Sequence, residues 1–322
     1  MIPILSPKDL LPEDWNHDPT VDLSLRNKLK SCSFNHLNID TNNIISNAKN
    51  DDYLVDVNYE FNNVIKFNYM GKSYVIKTAI SSHSELSNEI GISYYGINRL
   101  RDPNFVTMID FGFDIEYMNL VYDYVIYEFV EGHPFYPIYL YSMSYIKFKE
   151  VIYRIILSIY RAYKLIGFTH YDLYTRNIVI KPDNTPVIID YGLSHISVKE
   201  SRDHEVSHIS VKESLNLISI GQELLYANVY NRTFWITDIF SLLKELYGNL
   251  RPEAVKNLDR NKYNLGEIKS MGNYVVILLN YFYSIRNDEN IKTLIDALGP
   301  KYTEVLANES FERFLEYLSK CT

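Results

Sequence analysis

His170-Tyr171-Asp172-Leu173 leads within a few residues to Asn177, and Asp190-Tyr191-Gly192 follows. Asp172 precedes Asn177 by five positions, and Asp190 follows Asn177 by thirteen. Two β-branched runs, Ile178-Val179-Ile180 and Val187-Ile188-Ile189, lie between the carboxamide and the second acid. Two carboxylates and a carboxamide at these intervals suit phosphoryl transfer. One acid would orient a hydroxyl, while the second acid and the amide offer the hard oxygens that Mg²⁺ prefers on nucleotide phosphates. Either fragment alone reads as an accident of loop composition; the two together, in this order, do not.

The pattern resembles that of the protein kinase superfamily, in which His-Arg-Asp-Leu-x-x-x-x-Asn is followed by Asp-Phe-Gly. The resemblance spans roughly residues 50 to 320, is strongest over 170–192, and is closest to the divergent serine/threonine-kinase-like proteins of large DNA viruses. It implies a catalytic Asp172, Mg²⁺ held by Asn177 and Asp190, ATP as the phosphoryl donor and a protein hydroxyl as acceptor. It also implies a strand-borne lysine on the α- and β-phosphates and a helical glutamate paired with that lysine. Val75-Ile76-Lys77 fits the lysine position; Val64-Ile65-Lys66 competes, but only Lys77 is followed directly by a helix-like segment. Glu85 and Glu89 lie one helical turn apart, and Glu89 is preferred because it sits deeper in that segment. His170 reads as a scaffold for the loop, Arg176 as a source of charge for the transferring phosphate, and Asp238 as an anchor for the loop backbone.

The sequence departs from the family in several places. No Gly-x-Gly-x-x-Gly precedes Lys77, and residues 53–61 contain no glycine, although such glycines let backbone amides approach phosphate closely. Tyr171 stands where the family has arginine, which removes the usual partner of a phosphorylated loop. No Ala-Pro-Glu is visible further on. Two alternatives therefore stay open: a small-molecule kinase of aminoglycoside or choline type, and a pseudokinase acting as a binding module.

The elements that would position these residues can be read from periodicity. Asn63–Met70 and Ser73–Ala79 flank Gly71 as a hairpin, and Ser84–Leu100 reads as a helix capped by Ser84. Phe105–Phe113 and Leu120–Val130 read as strands, with Glu131–Pro134 as a linker. Ser144–Ile166 carries one apolar stripe and stops at Gly167. A single hairpin over Ile178–Ile189 and helices at Thr237–Tyr247, Met271–Ile285 and Glu304–Ser319 complete the chain. The expected fold is α+β and bilobal: an irregular extension over 1–50 that wraps the domain, a small antiparallel sheet lobe with one main helix over 51–131, and a larger, mainly helical lobe over 132–322. The activation segment would run over 190–236. Within it SHISVKES occurs at Ser194–Ser201 and again at Ser207–Ser214, a tandem duplication expected in a tolerant surface loop. Removing its 13 residues shortens the Asp190–Asp238 interval from 48 to 35, close to the family's.

Composition excludes other classes. The chain has 322 residues, is 47% apolar and 22% charged, and carries a net charge of −8, which gives no basic footprint for nucleic acid. Cys32 and Cys321 lie far apart and in no metal-ligand spacing, as expected of a reducing intracellular compartment, the cytoplasm or a virion. Met1–Trp15 lacks the apolar core of a signal peptide, and no stretch approaches the ~20 apolar residues needed to span a bilayer, so no membrane partner is expected.

Overall fold

Ile65, Tyr74, Ile76 and Ile126 bury one face of a sheet, while Lys77, Val75, Val125 and Tyr127 occupy the other. This alternation sets the architecture of the first half of the computed structural model, which describes residues 62–80, 86–117, 119–196, 235–286 and 302–321, together with Arg26, Asn27, Leu29, Lys30, Ser31, Thr41 and Ile44. Strands β1 (Asn62–Tyr69), β2 (Lys72–Ile80), β3 (Met108–Tyr117) and β4 (Leu120–Glu128) form an antiparallel sheet in the order β1-β2-β4-β3. Met70 and Gly71 join β1 to β2, both with positive φ (48° and 76°), the backbone that a two-residue hairpin turn requires.

Helix α1 (Leu86–Ile92) packs on the Lys77 face. The expected regular helix is interrupted: Ser93–Ile97 form a π-helical turn before Asn98–Leu100 resume. Gly96 lies inside that turn, and a Cβ there would come within 2.9 Å of Ile166 and 3.2 Å of Ile196. Ser84 and Glu85 lie outside the described residues. The third strand starts later than its sequence suggests because Phe105 is drawn aside into a parallel bridge with Ile188.

The chain crosses to the helical half at Gly132, where a Cβ would sit 2.4 Å from the Ile180 carbonyl oxygen. Only glycine allows so close a crossing. His133–Pro134, expected as linker, form a short strand β5 that pairs with β6 (Ile178–Ile180), which pairs in turn with β7 (Pro186–Ile188). The expected single hairpin is thus a three-stranded sheet. Helix α2 (Pro137–Ser142) has no counterpart in the sequence reading.

Helix α3 (Tyr145–Ile166) stops at Gly167, as its sequence indicates, and is capped at its start by Ser144. The Ser144 hydroxyl accepts from the Lys147 amide, and Gly167 adopts φ 56° while Gly167 N–H and Phe168 N–H donate to Tyr163 and Ala162 carbonyls. Its buried stripe meets α4 (Trp235–Leu250) and α6 (Leu265–Arg286). A short α5 (Pro252–Val255) connects those two. Helix α6 begins six residues before the expected Met271, because the Asn264 side chain accepts from the Gly266 and Glu267 amides and Ile268 is fully buried. Helix α7 (Tyr302–Cys321) closes this half, with Phe311 stacked 3.8 Å from the Trp235 ring. Among the described residues no helix is long and apolar enough to cross a membrane. Cys321 is a free thiol, and Cys32 lies outside the described residues.

Within the extension expected over 1–50, the described residues 26, 27, 29, 30, 41 and 44 are helical, and the rest of it except Ser31 lies outside the described residues. Arg26 and Leu29, three apart, turn to the same side: Leu29 is buried in the main core, and Arg26 donates to Asp114 and, through both terminal nitrogens, to the fully buried Asp123. Ile44 packs on the outer sheet face. Leaving a buried carboxylate without its guanidinium costs about 3–5 kcal/mol. Arg26→Ala should therefore lose stability of that order in chemical denaturation, and Asp123→Asn added to it should recover part of the loss.

Candidate functional site

The sheet face that carries Lys77 is closed by α1, so a lysine there must find anionic partners or lose its charge. It finds two. The Lys77 ammonium donates to Glu89 Oε2 at 2.7 Å and to Asp190 Oδ1 at 2.9 Å. Glu89 is 2% exposed, whereas the Asp190 carboxylate is about half open to solvent. Burial alone would lower the lysine pKa, but the two carboxylates outweigh it and hold the ammonium above its ordinary range. Burial pushes Glu89 up against the opposing pull of Lys77, while Asp190, despite burial, is held below its usual value by Lys77. The competing Lys66 is elsewhere, with its ammonium 3.7 Å above the Phe129 ring.

Asp190 reaches this position through a left-handed backbone, φ 65°, and Tyr171 is likewise left-handed at φ 62°. Non-glycine residues adopt that conformation at a cost of roughly 1 kcal/mol or more, so neighbouring contacts must impose it. For Tyr171 they come from α4: Asp238 accepts from the His170 and Tyr171 amides, both at 2.7 Å. Glu245, one further along the same helix face, accepts from the Thr175 amide at 2.6 Å. The loop 170–177 therefore hangs on two buried or half-buried acids of one helix. Asp238 anchors the loop backbone as the resemblance implies; Glu245 carried no signal in the sequence beyond lying seven residues later on an amphipathic helix.

Within the loop, the Asn177 amide nitrogen donates to the Asp172 carbonyl and to Asp172 Oδ2, both at 2.8 Å. That leaves the Asn177 carboxamide oxygen as the atom a cation could use. The Ile189 amide donates to the Asn177 carbonyl at 3.0 Å, which sets Asp190 beside it. His170 is fully buried; its Nδ1 accepts from the Asp172 amide, so Nε2 carries the proton and donates to the Ile189 carbonyl at 3.0 Å. Burial keeps the ring neutral, as a scaffold. Arg176, read as a charge for phosphate, rests on both Asp172 carboxylate oxygens at 2.6 and 2.8 Å.

Besides Glu245, other contributors were not anticipated. The Tyr127 hydroxyl lies 3.1 Å from Glu89 Oε1 and 3.1 Å from the Ser93 hydroxyl. The Asn88 side chain donates to the Gly192 and Ser194 carbonyls, tying α1 to the segment after Asp190. Only the start of the duplication, expected in a tolerant surface loop, falls among the described residues. Ser194, His195 and Ile196, the first three residues of the first SHISVKES copy, are buried, and His195 pairs backbone to backbone with Thr169. The rest of the repeat, residues 53–61 and residues 197–234 lie outside the described residues.

The donor set fits Mg²⁺ in its usual manner, with one or two protein oxygens and the remainder from phosphate and water. Asp190 and Asn177 would supply those oxygens. Among the described residues no cluster of three or more His, Cys, Asp or Glu side chains could hold a metal by itself. A cavity of about 670 Å³ lies beside the crossing at Glu128, Phe129, Glu131 and Gly132, but neither Lys77 nor Asp190 lines it. The charged cluster, not that cavity, identifies the site.

Asp238 is fully buried with no cation against it among the described residues, and burial pushes its pKa up to about 7. The folded state then binds a proton that the unfolded chain has released, so this group's stabilising contribution is full below about pH 4 and is lost as pH rises towards 7. Asp238→Asn should abolish that slope in denaturation midpoints measured from pH 4 to 8. It should also lower stability by about 1–3 kcal/mol, because an amide offers one acceptor to two backbone donors.

No family model matches the chain. Over an alignment of 263 positions that covers 70% of the chain, it is 27% identical to "Uncharacterized protein 179R" of Invertebrate iridescent virus 6. The match spans about a fifth (21%) of that protein's length.

Proposed function

We propose that the chain is a divergent, protein-kinase-like phosphotransferase that moves the γ-phosphoryl group of Mg-ATP to a serine or threonine hydroxyl of a protein. The observation that carries this reading is the bridge from Lys77 on the sheet to Glu89 on α1 and to Asp190, 113 residues further along the chain. An ammonium fixed beside a metal-binding carboxylate at the meeting of two structural halves suits the clamping of a triphosphate. The sheet with α1 would then be the small lobe, the helical half from 132 onwards the large lobe, and the space between them the nucleotide cleft.

In this reading Asp172 orients the acceptor hydroxyl. Its oxygen bonds to the γ-phosphorus as the bond from that phosphorus to the ADP oxygen breaks, and the hydroxyl proton leaves towards the Asp172 carboxylate. Asn177 keeps Asp172 in place through its amide nitrogen. Mg²⁺, when held by Asp190 and Asn177, neutralises charge on the phosphate oxygens. Arg176 can exchange its hold on Asp172 for the transferring phosphate, a move of one side chain. The relative in an invertebrate iridescent virus is compatible with a viral protein acting inside a host cell or virion.

The test combines calorimetric titration of Mg-ATP with labelled-phosphate transfer to a protein mixture. Lys77→Ala and Asp190→Ala should each weaken nucleotide binding at least tenfold. Asp172→Asn should keep binding yet lose transfer by about 100-fold or more. Transfer only to amino sugars or alcohols would replace the protein-substrate reading with a small-molecule one. Mg-ATP binding without any transfer would make the chain a pseudokinase, and absence of binding would sink the nucleotide reading altogether.

A further inference from the structure

We infer that Tyr127 is a positioning residue for the Lys77–Glu89 pair, its phenol holding one glutamate oxygen so that the other stays on the lysine. The inference deepens the phosphotransferase reading and rests on it for any consequence in nucleotide binding. The register places Tyr127 opposite Val75, two residues from Lys77 on the same sheet face, so the ring projects into the gap between β4 and α1. There its hydroxyl donates to Glu89 Oε1 and accepts from Ser93, while Glu89 Oε2 takes Lys77. Tyr127, Glu89 and Ser93 are 7%, 2% and 0% exposed, so bulk water has little access to replace the phenol.

The ring does a second thing. It meets the Tyr191 ring edge to face, with centroids 6.4 Å apart, and Tyr191 is the neighbour of Asp190. One side chain thus touches both partners of the lysine: Glu89 directly, and the Asp190 tripeptide through a ring contact. An apolar residue at this position would fill the same volume but leave Glu89 Oε1 and the Ser93 hydroxyl buried without their partner. A buried carboxylate with one donor instead of two takes up a proton more readily, and a neutral glutamate no longer holds an ammonium. Tyr127 therefore keeps the pair charged and aligned, and it does so at the back of the site without touching phosphate.

The experiment uses the full chain as wild type, Tyr127→Phe and Ser93→Ala. Lys77 acylation by an amine-reactive acetyl ester is followed by peptide mass spectrometry from pH 6 to 9, with the exposed Lys147 as internal reference. Tyr127→Phe should label at Lys77 about tenfold faster, and Ser93→Ala by a smaller factor. Mg-ATP affinity should fall about tenfold, and its loss on acidification should begin at a higher pH than in wild type. Labelling within twofold of wild type, with an unchanged pH profile, would overturn the inference. Should the phenylalanine variant fail to fold by circular dichroism, Ser93→Ala decides: faster labelling supports the inference and unchanged labelling rejects it. If wild type binds no Mg-ATP, the phosphotransferase reading falls, yet the labelling rates still decide the role of Tyr127.

Discussion

A carboxylate buried to 2% exposure is the constraint around which this site is built. Glu89 could not stay ionised there alone, since burial favours its neutral form. Lys77 compensates it from the sheet, and Asp190 then balances the lysine from the other half of the molecule. The two charges that are largely withdrawn from water, Glu89 and Lys77, are tolerable because each has an opposite charge in place, while Asp190 remains about half open to solvent. The cluster consequently fixes the distance between β2, α1 and the Asp190 tripeptide more tightly than apolar packing could, because apolar contacts slide whereas a buried ion pair with one missing partner is costly.

The second fixed point is α4. It contributes nothing that faces the charged cluster, yet Asp238 and Glu245 determine the path of loop 170–177 by taking three of its backbone amides. Their acceptors replace the secondary-structure partners a loop lacks. With the loop held from below, Asn177 can commit its nitrogen to Asp172 and present its oxygen outward, and His170 can bridge to Ile189. A loop free to relax would not keep Tyr171 in a left-handed conformation.

What the sequence made legible was whatever is local or charged. Strand alternation around Gly71 and the stop at Gly167 follow from spacing and residue type, while the choice of Lys77 over Lys66 and of Glu89 over Glu85 and the anchoring place of Asp238 came with the resemblance. What escaped depends on three-dimensional partners. His133–Pro134 become a strand only because β6 lies alongside, and no periodicity exists in two residues. Phe105 leaves its expected strand because Ile188 draws it away. Tyr127 looked like one aromatic among 29 tyrosines, and only the register with Val75 aims it at Glu89. The duplication itself suggested a tolerant loop, whereas burial of Ser194 and His195, at its start, is set by Thr169 and His170, more than twenty residues away in sequence.

The π-helical turn that follows α1, Ser93–Ile97, connects these observations. Inserting a residue into one helical turn rotates everything beyond it relative to what precedes it, and such turns concentrate at functional positions. Here it begins at Ser93, whose hydroxyl meets Tyr127, and it contains Gly96, which faces Ile166 and Ile196. A regular helix would carry Gly96 away from that direction if Ser93 kept its own, and a side chain in its place would collide. The widened turn lets one short helix satisfy the charged cluster on its first turns and the helical half on its last. Together with Asn88, whose amide holds Gly192 and Ser194, it makes α1 the element through which a shift in the segment after Asp190 would reach Glu89 and Lys77.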